Sequence, residues 1–207
     1  MVDCLVVVTG DTVAKMYLKL AGCYLKSKDG HCKYEAAMAY MHAGDIYKKI
    51  SAKDAISCLC QAVNQFLEVG RFQMAGLNCE VIGKLYELEQ NIEKAIVYFE
   101  RGADLFQSEE PFTSADQCNR CKQKVAQFSA QLEQYPRAIV IYEDFAKESL
   151  NKNLSKSSVT GYLLNAGLRQ LCKADVVVIS NALERYELDP TFSGTREYKF
   201  LAVSGCS

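Results

Sequence analysis

The chain has 207 residues, 49% of them hydrophobic, which is enough to bury a core without a second domain. Its 24 basic and 25 acidic side chains leave a formal net charge of -1, so no global field draws it to nucleic acid or anionic lipid. Three prolines and twelve glycines argue against a loop-rich or all-β domain. Ten cysteines suggest a disulfide framework, yet Cys58, Cys60, Cys79 and Cys172 sit in apolar-periodic runs, where a thiol acts as a small buried hydrophobe. With no secretory leader pattern, the expected compartment is the reducing cytosol.

Leu5-Val6-Val7-Val8 is too short to span a membrane and reads as a strand-like fragment, most simply an alternative or mispredicted first exon. Residues 1–11 are therefore set apart as an atypical segment, 12–203 as the helical-repeat domain and 204–207 as a tail. From Thr12 onward the pattern is helix, short turn, helix. A helix is expected over 12–27, broken at Ser27-Lys28-Asp29-Gly30. The next, over 33–49, places Ala36, Ala37, Tyr40, Ala43, Gly44 and Tyr47 on one stripe. Ser51 caps 52–69, which ends at Gly70; 72–88 follows, and Asn91 caps 92–107. Thr113 and Asp116 resemble a capping box for 114–132, and Pro136 suits the first turn of 136–150. Helices are expected over 156–172 and 175–187, although Val176-Val177-Val178-Ile179 alone favours a strand. After Leu188-Asp189-Pro190, Ser193 caps a last piece over 194–203.

Three Ala-Ile steps recur, at Ala55-Ile56, Ala95-Ile96 and Ala138-Ile139, with intervals of 40 and 43 residues. Helical repeats of that length signal an all-α solenoid of antiparallel helix hairpins, TPR-like, which grips partners along an extended face. The aromatic stripe (Tyr47, Phe66, Tyr86, Phe99, Phe106, Tyr142, Tyr162, Tyr186) reads as solenoid core.

Signs of catalysis are weak, and no enzyme activity or cofactor is expected. Cys118-Asn119-Arg120-Cys121 is a C-x-x-C, but it falls mid-helix with no strand before it. A zinc site needs further ligands, and the only histidines are His31 and His42, which read as surface or satisfied polar groups. Gly10-Asp11-Thr12 lacks the glycine frame and lysine of a phosphate loop. Glu109-Glu110 reads as a solvated turn. Basic side chains recur at Lys48, Lys49, Arg71, Lys124, Lys156 and Arg196. They serve either as ordinary solubilising charge or as a spaced row for a long acidic partner.

Four stretches carry a family resemblance: GRFQMA (70–75), EKAIVYFERGADLFQSEE (93–110), KVAQFSAQLEQYPRAIVIYED (124–144) and LCKADVVVISNALERYELDPTFSGTREYKFLA (171–202). Together they resemble the soluble NSF attachment proteins of the alpha type from about Ala14 to Ala202, and the LCKADVV and LDPTFSGTRE segments resemble the plant forms. The resemblance implies a right-handed twisted array of helix hairpins. It implies a non-enzymatic, cytoplasmic adaptor, peripheral on membranes, that wraps an assembled SNARE four-helix bundle (syntaxin-type) and recruits the hexameric NSF ATPase for its disassembly.

Position by position, Lys48, Lys49, Arg71, Lys124, Lys156 and Arg196 match basic positions of the family, whereas Leu77 and Thr160 replace basic ones. Relative to the family, Cys121 and its neighbours resemble a three-residue insertion, so a bulge or longer loop is expected near 118–123. The family also has an earlier hairpin with a membrane-touching loop, and a later bundle with an ATPase-engaging tail. On that comparison the chain reads as shortened at both ends, with adaptor function impaired. The competing readings are a general TPR-like scaffold for another peptide, and a thiol or zinc protein built on Cys118 and Cys121.

Overall fold

The computed structural model describes residues 2–27, 29–108, 115–151, 156–173, 176–187 and 192–205, the side chains of 2–8, 156 and 176 excepted. The described residues are all-α and contain no strand. They form α1 (Val2–Tyr24), α2 (Gly30–Tyr47), α3 (Ala52–Glu68), α4 (Phe72–Leu88), α5 (Ile92–Gln107), α6 (Ala115–Gln131), α7 (Tyr135–Asn151), α8 (Lys156–Cys172), α9 (Val176–Glu187) and α10 (Arg196–Gly205). Two compact units are distinguished, Met1–Lys122 and Gln123–Ser207.

Helix starts follow the caps. Asp29 accepts from the His31 N–H at 3.3 Å, Ser51 from Asp54 at 3.3 Å, and Asn91 from Lys94 at 3.2 Å. At α10 the cap is Thr195, accepting from the Tyr198 N–H at 3.2 Å, and not Ser193. Thr113, Glu109-Glu110 and Leu188-Asp189-Pro190 lie outside the described residues. Helix ends repeat one device: Gly70, Gln90 and Glu133 each adopt a left-handed φ, at 70°, 58° and 58°. In each turn the next N–H reaches back to a carbonyl of the last helical turn: Arg71 to Phe66 (2.8 Å), Asn91 to Tyr86 (2.9 Å), and Gln134 to Ser129 (2.8 Å). Connections of three residues make consecutive helices antiparallel neighbours.

In the first unit α1 packs on α2, α2 on α3, α3 on α4 and α4 on α5. Of the stripe expected on α2, Ala36, Ala37, Ala43, Gly44 and Tyr47 are buried and Tyr40 is half-buried. Gly76 and Gly83 of α4 admit the rings of Phe106 and Phe99 of α5; a Cβ at those positions would stand 2.8 and 2.9 Å from ring carbons. This ring-into-glycine contact sets how closely the two helices approach. The recurrent Ala55, Ala95 and Ala138 are fully buried. In the second unit α8 packs on α7, α9 and α10. Phe192 is fully buried, edge-on to Tyr186 and Tyr198, and Glu143 of α7 accepts from the Tyr186 hydroxyl at 2.7 Å.

Two expectations are corrected. The strand-like reading of Leu5–Val8 fails, because α1 starts at Val2 and runs through Asp11–Thr12 without a break. Once residues 12–24 are helical, extension costs only propagation, and valine's helix penalty is well under about 1 kcal/mol per residue. The bulge near 118–123 is also absent, since α6 is continuous. Cys118, Cys121, Val125 and Phe128 keep one buried stripe, which three inserted residues would rotate away by about 300°. The longer interval sits instead between Gln107 and Ala115, where residues 109–114 lie outside the described ones. Val176–Ile179 is helical, as its neighbours required.

Candidate functional site: a basic and aromatic cleft at one end of the first unit

The start of α2, the end of α3 and the start of α4 meet at one end of the first unit. Asp29 fixes the first turn of α2, which places Lys33 and Tyr34 opposite the last turn of α3. The Tyr34 ring stands edge-on to the fully buried Phe66 ring, with centroids 5.9 Å apart. Lys33 Nζ reaches Glu68 Oε2 at 2.7 Å and joins α2 to α3. The left-handed Gly70 then turns the chain so that Arg71 opens α4 with its guanidinium carbon 5.8 Å from the Tyr34 ring centre. Such stacking holds a cation against an aromatic face while leaving its donors in water. Among the described residues no carboxylate pairs with Arg71.

Gly30, His31, Lys33, Tyr34, Glu68, Val69 and Arg71 line an open cleft of about 590 Å³. A smaller hollow of about 280 Å³ adjoins it, lined by Tyr34, Arg71, Gln73 and Met74. With Lys33 offset by Glu68, Arg71 leaves the cleft net positive. Its geometry suits a partner bearing carboxylates on a rigid surface, with Arg71 as the planar donor and Tyr34 as its platform.

Within the first unit, Lys48 and Lys49 stand apart from this cleft. Lys48 is the C-terminal cap of α2, and its Nζ lies 2.7 Å from Asp45. Lys49 is exposed in the same turn. Lys48 and Lys49 precede α3 and Arg71 follows it, so the 17 residues of that helix, about 25 Å, separate them. Lys124, in the second unit, is half-buried with its ammonium 5.4 Å from the Phe128 ring centre. Lys156 begins α8, and its side chain lies outside the described residues. Arg196 begins α10 and is exposed. Leu77 and Thr160 are half-buried.

The sequence reading passes over Lys33, Tyr34 and Glu68 and takes His31 as a surface or satisfied polar group. The signal was available: an antiparallel hairpin closed at 48–51 returns residue 68 to the level of 33.

The C-x-x-C has the wrong environment for thiol chemistry. Cys121 is fully buried, and burial, with the Glu80 carboxylate beside it, pushes its thiol up to about 12. Cys118 is buried and donates to the Ala103 carbonyl at 3.5 Å. A reactive thiol needs the opposite shift. Among the described residues no three His, Cys, Asp or Glu side chains are grouped to hold a metal ion.

The family model described as soluble NSF attachment protein matches residues 9–203. The alpha-soluble NSF attachment protein of Vitis vinifera is 60% identical over 192 residues, covering 92% of this chain and 64% of that protein. Its namesake from Mus musculus is 38% identical over 171 residues, covering 82% and 57%. The vesicular-fusion protein SEC17 of Coprinopsis cinerea is 34% identical over 163 residues, covering 78% and 55%. The chain thus spans somewhat under two thirds of the length of these curated relatives.

Among solved structures, a kinesin light chain-type protein of Podosopora anserina with TPR-like repeats superposes with a TM-score of 0.56 at 10% identity, covering 92% of this chain and 85% of that one. BtubC from P. vanneervenii gives 0.53 at 13% identity, covering 92% and 72%. These likenesses concern fold alone and agree with a TPR-like α-solenoid. With the family model matching nearly its whole length, the chain belongs to the soluble NSF attachment protein family.

Proposed function

We propose that this chain is a non-enzymatic adaptor of vesicle trafficking that holds an assembled SNARE four-helix bundle and recruits the hexameric NSF ATPase to disassemble it. The observation that carries the reading is the family match across residues 9–203, with relatives named for NSF attachment and vesicular fusion. The basic cleft around Arg71 supports it, because an acidic helical bundle presents carboxylates at the spacing of helix turns. Lys48, Lys49, Lys124, Lys156 and Arg196 are proposed as further partner contacts.

Charge complementarity of this kind governs encounter rate and register more than raw affinity. Each exposed cation contributes roughly 0.2–1 kcal/mol, so Leu77 and Thr160 weaken the contact without abolishing it. The adaptor works at a membrane as a peripheral protein; among the described residues no helix is long and apolar enough to cross one.

The test is a three-component assembly: purified chain, assembled SNARE bundle and NSF held in its ATP state. Retention of NSF on bundle-coated beads only when the chain is present supports the reading. Binding of the chain to unrelated helical peptides, with no preference for the assembled bundle, rejects it in favour of a general scaffold.

A further inference from the structure

Lys33 and Glu68 form their 2.7 Å ion pair while lining the cleft, with 35% and 49% of their side chains exposed. A pair this exposed is close to energetic balance with its solvated, separated state. Beside it Arg71 lies against Tyr34 with no carboxylate among the described residues. One cation of the cleft is thus already occupied by a carboxylate of the chain itself, and the next is open. We infer that Glu68 is a built-in competitor: it occupies Lys33 as a partner carboxylate would, and docking exchanges one for the other. The inference rests on the proposed reading of an acidic helical partner and adds how the site is regulated.

The consequence is a threshold. A ligand with a single carboxylate gains little, because reaching Lys33 means displacing Glu68, while Arg71 takes only one group. A surface with several carboxylates in register engages Arg71 first and then competes for Lys33 at high local concentration. Glu68 therefore holds back multivalent acidic surfaces, which must displace it at Lys33, more than a single anion held at Arg71. A purely structural pair, serving only to join α2 to α3, gives no such discrimination.

The experiment titrates the wild-type chain, Glu68→Gln, Lys33→Gln and the double variant against the assembled SNARE bundle and, separately, against poly-L-glutamate, at low and moderate salt. Glu68→Gln is expected to bind both probes about two- to fivefold more tightly at low salt, the range for one exposed charge contact. The gain shrinks at moderate salt. It disappears when Lys33 is also replaced. Circular dichroism monitors helix content, and Glu68→Ser gives the same comparison if the glutamine variant unfolds.

Unchanged or weaker binding by well-folded Glu68→Gln to both probes overturns the inference, as does a gain that survives loss of Lys33. Absence of binding to both probes by every variant overturns it too. If polyglutamate shows the gain but the bundle never binds, the competitor role stands and the adaptor reading fails. If the bundle binds wild type and Glu68→Gln alike, the adaptor reading stands and the competitor role fails.

Discussion

The Arg120 guanidinium of α6 lies 3.6 Å from the Glu80 carboxylate of α4, and Lys84 Nζ takes the other oxygen at 2.7 Å. The contact passes α5 at Gly102, where a Cβ would stand 3.4 Å from the Gly76 carbonyl and 3.5 Å from Cys121 Sγ. Glu80 retains only 9% of its side-chain exposure, whereas Lys84 and Arg120 keep 55% and 61%. The desolvated partner is the acid, so the energetics are asymmetric. Removing both cations strands a buried charge and is expected to cost about 2–3 kcal/mol. Glu80→Gln, which removes the charge and keeps an acceptor, is expected to cost under about 1 kcal/mol. Urea unfolding of Lys84→Ala/Arg120→Ala against Glu80→Gln measures the difference; equal costs contradict it.

Glycine-to-alanine exchange should reverse sign between two helices. Gly22 of α1 is exposed with nothing near a Cβ, so alanine there gains about 0.5–1 kcal/mol from helix propensity. Gly83 of α4 faces the Phe99 ring, which is itself buried against its neighbours. Alanine there forces the ring aside and is expected to cost about 1–3 kcal/mol despite its better propensity. Thermal melting of both variants reads the two signs directly.

The shared turn offers a stabilising change. Gly70 adopts its left-handed φ at no steric cost, but Gln90 and Glu133 hold nearly the same conformation with side chains. Gln90→Gly is expected to stabilise the first unit by up to about 1 kcal/mol, while Gly70→Ala destabilises by a similar amount. Chemical denaturation monitored by helix content separates the outcomes, and a loss of stability in Gln90→Gly would count against the turn assignment.

Buried thiols set an alkaline limit. Burial pushes Cys79 and Cys121 from 9.0 up to about 12. Because the native state retains these protons after the unfolded chain has released them, their contribution is intact below about pH 9 and falls as pH rises toward 12. Between pH 9 and 10 the loss is about 1 kcal/mol per thiol. Replacing Cys79 or Cys121 with alanine should flatten the slope of stability against pH in that window, whatever it does to absolute stability.

Repeat architecture was legible in sequence because it is local. Ala55, Ala95 and Ala138 mark a helix-pair period, and Ser51 and Asn91 announce helix starts through their own side chains. Leu5–Val8 misled because β-branching is a weak preference that an adjoining helix overrides. The extra three residues were misplaced because a count between two Ala-Ile steps cannot say which part of the interval grew. Only the stripe through Cys118, Cys121, Val125 and Phe128 shows that the helix did not. The cleft was hidden for a related reason. Arg71 was singled out as one of a row along the chain, but its companions Lys33, Tyr34 and Glu68 come from across a hairpin, and Lys48 and Lys49 lie at the far end of α3.

The most direct measurement is the affinity of the purified chain for an assembled SNARE bundle, compared with Arg71→Glu, across a salt series. The expected result is binding that weakens as salt rises, together with a clear loss for Arg71→Glu at low salt that fades at high salt. Binding that ignores both salt and Arg71→Glu, or no binding by a folded, helical chain, would contradict the adaptor reading and the cleft assigned to it.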